Sequence, residues 1–503
     1  MKLLLLGLVT LPSLFFAQKH DFTWILGYDG GEDISELDSF GLSLLNFNPD
    51  TVLDITVNKI PSHGYNRTNT AICDRQGNLL FSSNGVNIYD KNYGIMEGGK
   101  NLNRNEGAGY LLQQGVLSLP HPRDTNLYAF FHARKGHGIF VTQTWYSEID
   151  MRENDGLGAV VKMEDLVQDT LIPGRITAAK HGNGRDWWIL LEHYCRTNEG
   201  CIQNYFYRVL LTPEGTKILK QPIFRARLTQ TGAGQSFFTP DGTKYIVSHA
   251  HRFGEPTYID IYDFDRCRGW LDNKRTIESA ISTDSNAGSG IVISENSRFA
   301  YFIMWEQIIQ YDLWANDIEA SETIVAEYDG FIQYGRSDFP LATRFFKGHL
   351  APDNKIYINT ANSTQYLHVI HNPNEKGLAC NVEQRGVYLP TYNGFSIPNH
   401  PNYRLGKWEG SPCDTLSPIS STEQVAYNEM NFFPNPSTGF FQLELDEDIP
   451  LSQLEIRFYS LVGQQVGVFR GQESFDLSGF ASGIYVTEIW VKGKIFGREK
   501  IVL

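Results

Sequence analysis

The sequence predicts an all-β protein with two folded parts, a β-propeller followed by a small C-terminal β-sandwich. Three observations predict this fold class. Aromatic residues, which favour strands, make up 13% of the chain. One strand–turn–strand unit recurs along most of the sequence, and the chain ends in short segments of alternating apolar and polar residues. At 503 residues the chain is long enough for two or more domains.

The recurring unit joins an apolar strand to a strand rich in Tyr, Phe and Ile through a turn of Pro, Asp, Gly and Asn, as hairpins do. Its copies begin at Ala71, Leu117, Ala178, Ser236, Ile291 and Leu350. The turn positions Asn183, Pro240, Glu295 and Pro352 follow one another at intervals of 57, 55 and 57 residues. A nearly constant period indicates a repeat architecture.

Several units continue into a third strand that ends in Tyr-Asp or a close variant. These strands span 87–90, 260–264 and 308–313. Three to four antiparallel strands per repeat is the content of a propeller blade. Six blades are visible, and we expect the stretch 24–59 to join the stretch after Cys380 in a seventh that closes the ring. The sequence therefore favours seven blades, with six as the main alternative.

Composition changes along the chain predict four segments. Residues 1–17 place one lysine before a short apolar run, as in a cleavable signal peptide. We assign 18–410 to the propeller, the Pro/Ser/Thr-rich stretch 411–428 to a linker, and 429–503 to the C-terminal domain. No other apolar run is long enough to cross a membrane. The sequence therefore predicts an exported protein whose mature chain has no transmembrane segment.

The net charge of −14 argues against two classes of partner. Nucleic acids and anionic membranes are bound by clustered Lys and Arg, which the sequence lacks. Partners are therefore expected among proteins and glycans.

Export permits disulfides, and the chain has six cysteines. Cys195 and Cys201 bracket a short polar loop and are predicted to form a local disulfide. Cys380 and Cys413 are predicted to form a second one at the end of the propeller. Cys73 and Cys267 lie in or beside strand-like runs and are interpreted as buried free thiols.

Sequence motifs for catalysis are absent. The chain has no G-x-S-x-G elbow, no H-E-x-x-H pair and no phosphate-binding or dinucleotide-binding glycine loop. Its aspartate-rich turns lack the residue order of a calcium loop and are interpreted as hairpin turns. We therefore assign no catalytic residue, metal ligand or cofactor.

Histidines form the one candidate ligand site. His132, His193 and His249 end the second strands of three units, and His251 follows two residues later. Equivalent positions on successive blades lie on a ring around the axis, so these imidazoles are expected to meet at one channel mouth and to bind a cation or an anionic ligand. The alternative, which we favour, is that each histidine hydrogen-bonds a neighbouring loop.

The last domain resembles the type A sorting domain of type IX secretion substrates. The likeness lies in five segments: Phe433-Pro434-Asn435-Pro436 with Gly439, the strand IRFYSLVGQQV, Asp476-Leu477-Ser478, Gly483-Ile484-Tyr485 and Lys500-Ile501-Val502. This resemblance implies that the domain engages the type IX machinery and carries the folded protein across the outer membrane. Pro434, Asn435, Pro436, Gly439, Gly483, Tyr485 and Lys500 are the residues it assigns to the sorting signal.

The propeller resembles uncharacterised propeller regions of surface proteins with type IX sorting domains or gliding-motility-associated C-termini. The fragments that carry this likeness lie at 82–99, 146–161, 180–188 and 394–406. The resemblance implies a location at the cell surface and no particular chemistry. We expect a secreted or surface-attached binding module for glycan or protein. The alternatives are an exported hydrolase or lactonase-like enzyme with a metal at the channel mouth, and a structural component of the surface.

Overall fold

The structure is a computed structural model, and it describes residues 18–29, 39–47, 53–60, 63–104, 109–136, 140–194, 204–223, 234–249, 257–278, 290–335, 338–414, 430–445, 450–460, 464–491 and 494–503. The chain divides into two compact units, Met1–Leu416 and Ser417–Leu503. The predicted signal peptide, residues 1–17, lies outside the described residues. Residues 411–414 of the predicted linker fall in the first unit, and the rest of that linker is not described.

The described part of the first unit contains seven antiparallel sheets of three or four strands, which follow one another along the chain. The first has the order β3-β2-β1-β4 and comprises β1 (Thr23–Tyr28), β2 (Gly41–Asn46), β3 (Asp54–Asn58) and β4 (Gly64–Tyr65). The second comprises β5 (Thr70–Cys73), β6 (Leu79–Ser83) and β7 (Ile88–Asp90). The third comprises β8 (Val116–Pro120), β9 (Leu127–Lys135), β10 (Val141–Asp150) and β11 (Ala159–Leu171).

The remaining four sheets repeat the up-and-down order of the third. The fourth comprises β12 (Thr177–Lys180), β13 (Trp187–Glu192), β14 (Asn204–Thr212) and β15 (Gly215–Ile223). The fifth comprises β16 (Ser236–Phe238), β17 (Lys244–His249), β18 (Tyr258–Asp265) and β19 (Trp270–Glu278). The sixth comprises β20 (Gly290–Ile293), β21 (Phe299–Ile303), β22 (Gln307–Asp312) and β23 (Thr323–Glu327). A hairpin of β24 (Ile332–Tyr334) and β25 (Pro340–Ala342) leads to the seventh, which comprises β26 (Phe345–Leu350), β27 (Ile356–Thr360), β28 (Thr364–Ile370) and β29 (Val382–Asn393).

The all-β propeller predicted from the sequence is confirmed, with the seven blades that the repeat favoured. The six repeated segments are the first hairpins of the second to seventh sheets. The predicted closure is wrong, however. The stretch 24–59 belongs to the first sheet, whereas β29 completes the seventh and packs against β1 and β2. The reason is that both terminal repeats have enough strands of their own to form separate sheets.

The first hairpin of each repeat owes its shape to one Asp or Asn. In the fifth sheet the Oδ1 atom of Asp241 accepts the backbone N–H of Thr243 at 2.9 Å. A side-chain oxygen that accepts an N–H two residues on mimics a backbone turn, so these residues hold the chain reversal. The equivalent acceptors in the other five repeats are Asp74, Asp124, Asn183, Asn296 and Asp353. We call the side of the propeller that carries these turns the hairpin face.

The core lies between neighbouring sheets. Trp187 is fully buried, and its indole N–H donates to the carbonyl of Pro120 in the preceding sheet at 3.1 Å. Large side chains of this kind fill each space between blades; Trp24, Tyr245, Tyr301 and Tyr357 are other buried examples. The alternation of each strand sends side chains to both sheet faces, so burial on both faces requires apolar residues at successive positions.

The cysteine pairing differs from the prediction. Cys413 forms a disulfide with Cys267, in the turn between β18 and β19, and not with Cys380. Cys380 is a buried free thiol at the end of a short 3-10 helix (Gly377–Cys380) and packs in an apolar cluster with Tyr301. The interpretation of Cys73 as a buried free thiol is confirmed, and that of Cys267 is wrong. Cys195 and Cys201 lie outside the described residues, so their disulfide stays a prediction.

Among the described residues, three further 3-10 helices connect strands, at Asn154–Gly156 and Glu319–Ser321 in the first unit and Leu451–Gln453 in the second.

The described part of the second unit forms two sheets. One has the order β30-β31-β34 and comprises β30 (Met430–Phe433), β31 (Phe440–Leu445) and β34 (Ser474–Asp476). The other has the order β33-β32-β35-β36 and comprises β32 (Leu454–Ser460), β33 (Gln465–Arg470), β35 (Ile484–Val491) and β36 (Lys494–Val502). Phe432, Phe458 and Phe475 pack between them, as in the predicted small β-sandwich.

Candidate functional site

The three predicted histidines that the structure describes lie in the half of the second strands that is away from the hairpin face, or directly after it. His132 is in β9, His193 directly follows β13, and His249 ends β17. All three side chains belong to buried residues. His251 lies outside the described residues.

Each of these three histidines contacts the third strand of its own sheet. The ring of His132 lies parallel to that of Trp145 with centroids 6.2 Å apart. The ring of His193 stacks on Tyr205 at 4.1 Å, and the Nε2 atom of His249 is 2.9 Å from Oδ2 of Asp260. The imidazoles therefore lie on sheet faces between blades.

This geometry explains why they do not form the shared site that was considered. Side chains of a second strand point to the two faces of its sheet, and only the innermost strands border the axis. Within the described ranges, no three His, Cys, Asp or Glu side chains are grouped so that they could hold a metal ion. The alternative interpretation named a hydrogen bond from each histidine to a neighbouring loop, whereas the partners described here, Trp145, Tyr205 and Asp260, lie on the third strand of each sheet.

The axis of the propeller is occupied by the chain itself. After β29, residues 394–414, which we call the axial segment, run along the innermost strands toward the hairpin face. The backbone N–H of Phe395 donates to Asn66 O at 2.9 Å, and that of Trp408 donates to Gly182 O at 2.7 Å. Between these points the hydroxyl of Tyr403 donates to Ser118 O at 2.8 Å.

Asn399 is the centre of this arrangement. Its Nδ2 atom donates to Val116 O at 2.7 Å and to Ile176 O at 2.9 Å, so it joins the third and fourth sheets. Its Oδ1 atom accepts from Nε2 of Gln114 at 3.2 Å, and its backbone N–H donates to Asn69 O at 2.9 Å. The residue is buried, and both ends of its amide have partners. A buried amide satisfied in this way fixes the position of the axial segment.

Two histidines that sequence reasoning did not single out belong to this arrangement: His400 is part of the axial segment and His349 lies beside it. His400 is buried, and its Nε2 atom is 2.8 Å from Ala71 O. Burial lowers the pKa of His400 to about 3, so the ring is neutral and Nε2 carries the proton donated to that carbonyl. Burial also lowers the pKa of His349, on β26, whose Nε2 atom accepts the backbone N–H of His400 at 3.2 Å. The neutral imidazoles connect the axial segment to the second and seventh sheets.

The axial segment and the hairpin face enclose a cavity of about 530 Å³. Its walls come from the first hairpins of the fifth, sixth and seventh sheets and from residues 400–406. The apolar part includes Phe237, Val292 and Leu405. Asp241 and Glu295, both exposed turn residues, contribute carboxylates.

The polar side chains of Asn402 and Arg404, which also line the cavity, are bonded to other groups of the protein. Arg404 donates to both carboxylate oxygens of Asp21, at 2.8 and 2.9 Å. Asn402 donates through Nδ2 to Pro240 O at 2.8 Å and accepts through Oδ1 from the backbone N–H of Arg404 at 3.0 Å. The arrangement can therefore bind a ligand through apolar contact and through the outer carboxylates.

In the second unit, the residues assigned to the sorting signal meet at the end of β36. Asn435 donates through Nδ2 to Lys500 O at 2.7 Å and accepts through Oδ1 from the N–H of Val502 at 2.9 Å. Gly483 and Leu503 exchange two backbone hydrogen bonds, at 2.9 and 3.1 Å. The hydroxyl of Tyr485 donates to Ala481 O at 2.7 Å. These contacts join the first turn of the domain and the turn before β35 to the last residues of the chain.

Gly439 is required by two features of the same region. Its φ is +127°, which side chains disfavour, and a Cβ atom there would lie 2.7 Å from the Cα of Ser478. Its carbonyl accepts the N–H of Leu477 at 2.7 Å. Pro434 and Pro436 flank Asn435 in the exposed turn between β30 and β31.

The comparisons with known proteins agree with this description of the second unit. Residues 431–503 match the family model described as "Secretion system C-terminal sorting domain". No curated protein matches the chain in sequence.

Solved structures similar to the chain include two bacterial proteins. One is the periplasmic gluconolactonase PpgL of Pseudomonas aeruginosa, with 10% identity, coverage of 95% of this chain and 98% of that one, and a TM-score of 0.37. The other is PorZ, an essential surface component of the type IX secretion system of Porphyromonas gingivalis, with 12% identity and a TM-score of 0.35. That match covers 92% of this chain and 62% of PorZ. Likenesses this weak say nothing about activity.

No helix in the described ranges is long and apolar enough to cross a membrane. The chain is an exported protein that pairs a β-propeller with a type IX secretion system C-terminal sorting domain at residues 431–503, and this domain directs it to the cell surface or into the medium.

Proposed function

We propose that the propeller is a binding module for glycan or protein outside the cell, that it uses the cavity on its hairpin face, and that residues 1–17 are the signal peptide that starts its export. The observation that carries the binding role is the placement of the axial segment. Because residues 394–414 occupy the axis, a ligand reaches the propeller at its faces, and the hairpin face offers a concave surface of about 530 Å³. A cavity of this size, mainly apolar with a few polar groups, is typical of ligand sites.

The described residues favour binding over hydrolysis for a second reason. The polar side chains of Asn402 and Arg404 in the cavity wall are already hydrogen-bonded, to the Pro240 carbonyl and to the Asp21 carboxylate. A general base or nucleophile needs a reactive atom within hydrogen-bond reach of the substrate. The cavity supplies its carboxylates at the outer turns, where they suit recognition of a partner.

Gly406 offers a direct test, because it lines the cavity and a Cβ atom there would meet no atom within 4 Å. Gly406→Trp is therefore expected to fill the cavity without disturbing the fold. The mature full-length protein is applied to arrays of oligosaccharides and of basic, acidic and neutral peptides. We expect at least one class of probe to bind and the Gly406→Trp variant to lose that binding.

Lys217→Trp is the matched control, since it puts the same side chain on the exposed surface of β15. Binding that survives Gly406→Trp unchanged, or a wild-type protein that retains no probe on either array, would show the proposal to be wrong. Thermal unfolding of both variants establishes that they are folded.

A further inference from the structure

The cavity on the hairpin face combines an apolar floor with an acidic rim. Phe237 contacts the ring of His349 edge-on at 5.2 Å between centroids, and Val292 and Leu405 continue the apolar surface. Asp241 and Glu295 stand at the rim, in equivalent turns of adjacent blades. This arrangement suits a ligand that is apolar along its length and polar at one end.

The charge of the lining is negative. The described residues that surround the cavity include the carboxylates of Asp21, Asp241 and Glu295 and the guanidinium of Arg404, which gives a net charge of −2. The guanidinium is bonded to Asp21, so the charge of this pair is neutralised within the cavity wall. The two remaining carboxylates favour a cationic ligand and disfavour an anionic one.

The hydrogen bonds already made by polar side chains of the cavity wall argue against a sugar. A saccharide is held by donors and acceptors that meet its hydroxyl groups. Here Asn402 and Arg404 are bonded as described above, and both ring nitrogens of His349 are in hydrogen bonds: Nδ1 donates to Leu350 O at 2.7 Å, and Nε2 accepts the backbone N–H of His400 at 3.2 Å. This part of the wall therefore offers hydrophobic contact in place of hydrogen bonds.

We infer that the cavity receives a lysine or arginine side chain from an extended segment of a partner protein. This inference rests on the proposed function and deepens it, because it selects protein over glycan. The methylene stem lies along Phe237, Val292 and Leu405, and the charged head lies between Asp241 and Glu295. Long basic side chains bury their stems and keep their charge near water in this way.

The test uses fluorescence polarisation with the mature full-length protein. The probes are a fluorescein-labelled peptide of alternating lysine and glycine and a matched peptide with glutamate in place of lysine. We expect the lysine peptide to bind and the glutamate peptide not to bind. The double variant Asp241→Asn/Glu295→Gln should weaken the lysine peptide by about tenfold or more, because it removes both rim charges.

Glu319→Gln is the control, since this carboxylate is exposed in a 3-10 helix that does not line the cavity. Equal losses in the control and the double variant would reveal non-specific attraction to an acidic protein and overturn the inference. So would tight binding of the glutamate peptide. Calorimetry with maltohexaose distinguishes a failure of this inference from a failure of the proposed function. If maltohexaose binds, Gly406→Trp blocks its binding and the lysine peptide does not bind, then the inferred ligand class is wrong and the proposed binding function stands.

Discussion

Arg404 donates to the two carboxylate oxygens of Asp21 at 2.8 and 2.9 Å, and so connects the end of the propeller sequence to its beginning. Only 6% of the Asp21 side chain is exposed, against 32% for Arg404. When the partner of so deeply buried a carboxylate is removed, water does not replace that partner, and the carboxylate is left unpaired. The pair therefore holds the axial segment against the first strand of the first sheet.

Arg404→Ala is expected to lower the free energy of unfolding of the propeller by about 2 kcal/mol, because it leaves the Asp21 carboxylate buried without its charged partner. Urea titration of the full-length protein measures the change. The double variant Asp21→Ala/Arg404→Ala should cost less than the single one, since it leaves no buried charge. A single variant as stable as the wild type would contradict this role of the pair.

The Cys267–Cys413 disulfide closes a loop with a sequence separation of 146 residues. The chain-entropy model predicts that such a loop stabilises the fold by up to about 5 kcal/mol. Cys267→Ser/Cys413→Ser should therefore lower the denaturation midpoint and expose the end of the axial segment to limited proteolysis.

Cys380→Ser is the matched control, because Cys380 is a buried thiol. Mass spectrometry of the unreduced protein should recover Cys267 and Cys413 in one linked pair of peptides, with Cys73 and Cys380 alkylated only after unfolding. Recovery of Cys413 linked to Cys380 would restore the pairing that the sequence suggested.

Buried histidines should make the propeller sensitive to acid. Burial lowers the pKa of His132 to about 3, whereas an unfolded histidine titrates near 6.5. Between these values the unfolded state binds a proton that the folded state does not, so stability falls as the pH drops below about 6.5. His132→Leu should reduce the pH slope of the unfolding free energy between pH 4 and 6 by about 1.4 kcal/mol per pH unit.

Urea titrations at several pH values give this slope for both proteins. Carboxylates also titrate in the window, and the difference between wild type and variant removes their common contribution. An identical slope in the two proteins would mean that His132 is protonated in the folded state.

The sequence predicted well those structural features that depend on short-range contacts. The hairpins recur because one Asp or Asn in each repeat accepts a nearby N–H, as Asp74 does from Gln76 at 2.8 Å, and such short-range chemistry is legible in a single sequence. The histidines were predicted less well: His249 ends its second strand as expected, but β9 continues three residues beyond His132. The direction of their side chains could not be predicted, because the side to which a second strand turns its residues depends on the neighbouring blades.

The path of the axial segment could not be predicted either, because it depends on contacts with residues that are far away in the sequence. In the sequence, residues 394–406 were recognised only as a fragment similar to other surface propellers. The two carbonyls that Asn399 binds lie 283 and 223 residues away in the chain. The pairing of Cys413 with Cys267 follows from the path of this segment, which no spacing of cysteines encodes.

The last prediction concerns the sorting domain, where Asn435 bonds to Lys500 O and to the N–H of Val502. Asn435→Ala removes both hydrogen bonds and should cost the domain about 1 kcal/mol, because the site is exposed. If export depends on this turn being held against the final strand, the variant should accumulate in the periplasm in part, and deletion of 431–503 should retain the protein there completely. Cell fractionation with immunoblotting measures both.

Gln472→Ala is the control, since Gln472 is an exposed amide of the same domain whose bond to Ser474 O, at 2.8 Å, is local. Normal surface delivery of the deleted protein would refute the assignment of export to this domain, whereas normal delivery of Asn435→Ala alone would show that the turn contributes to stability and not to recognition.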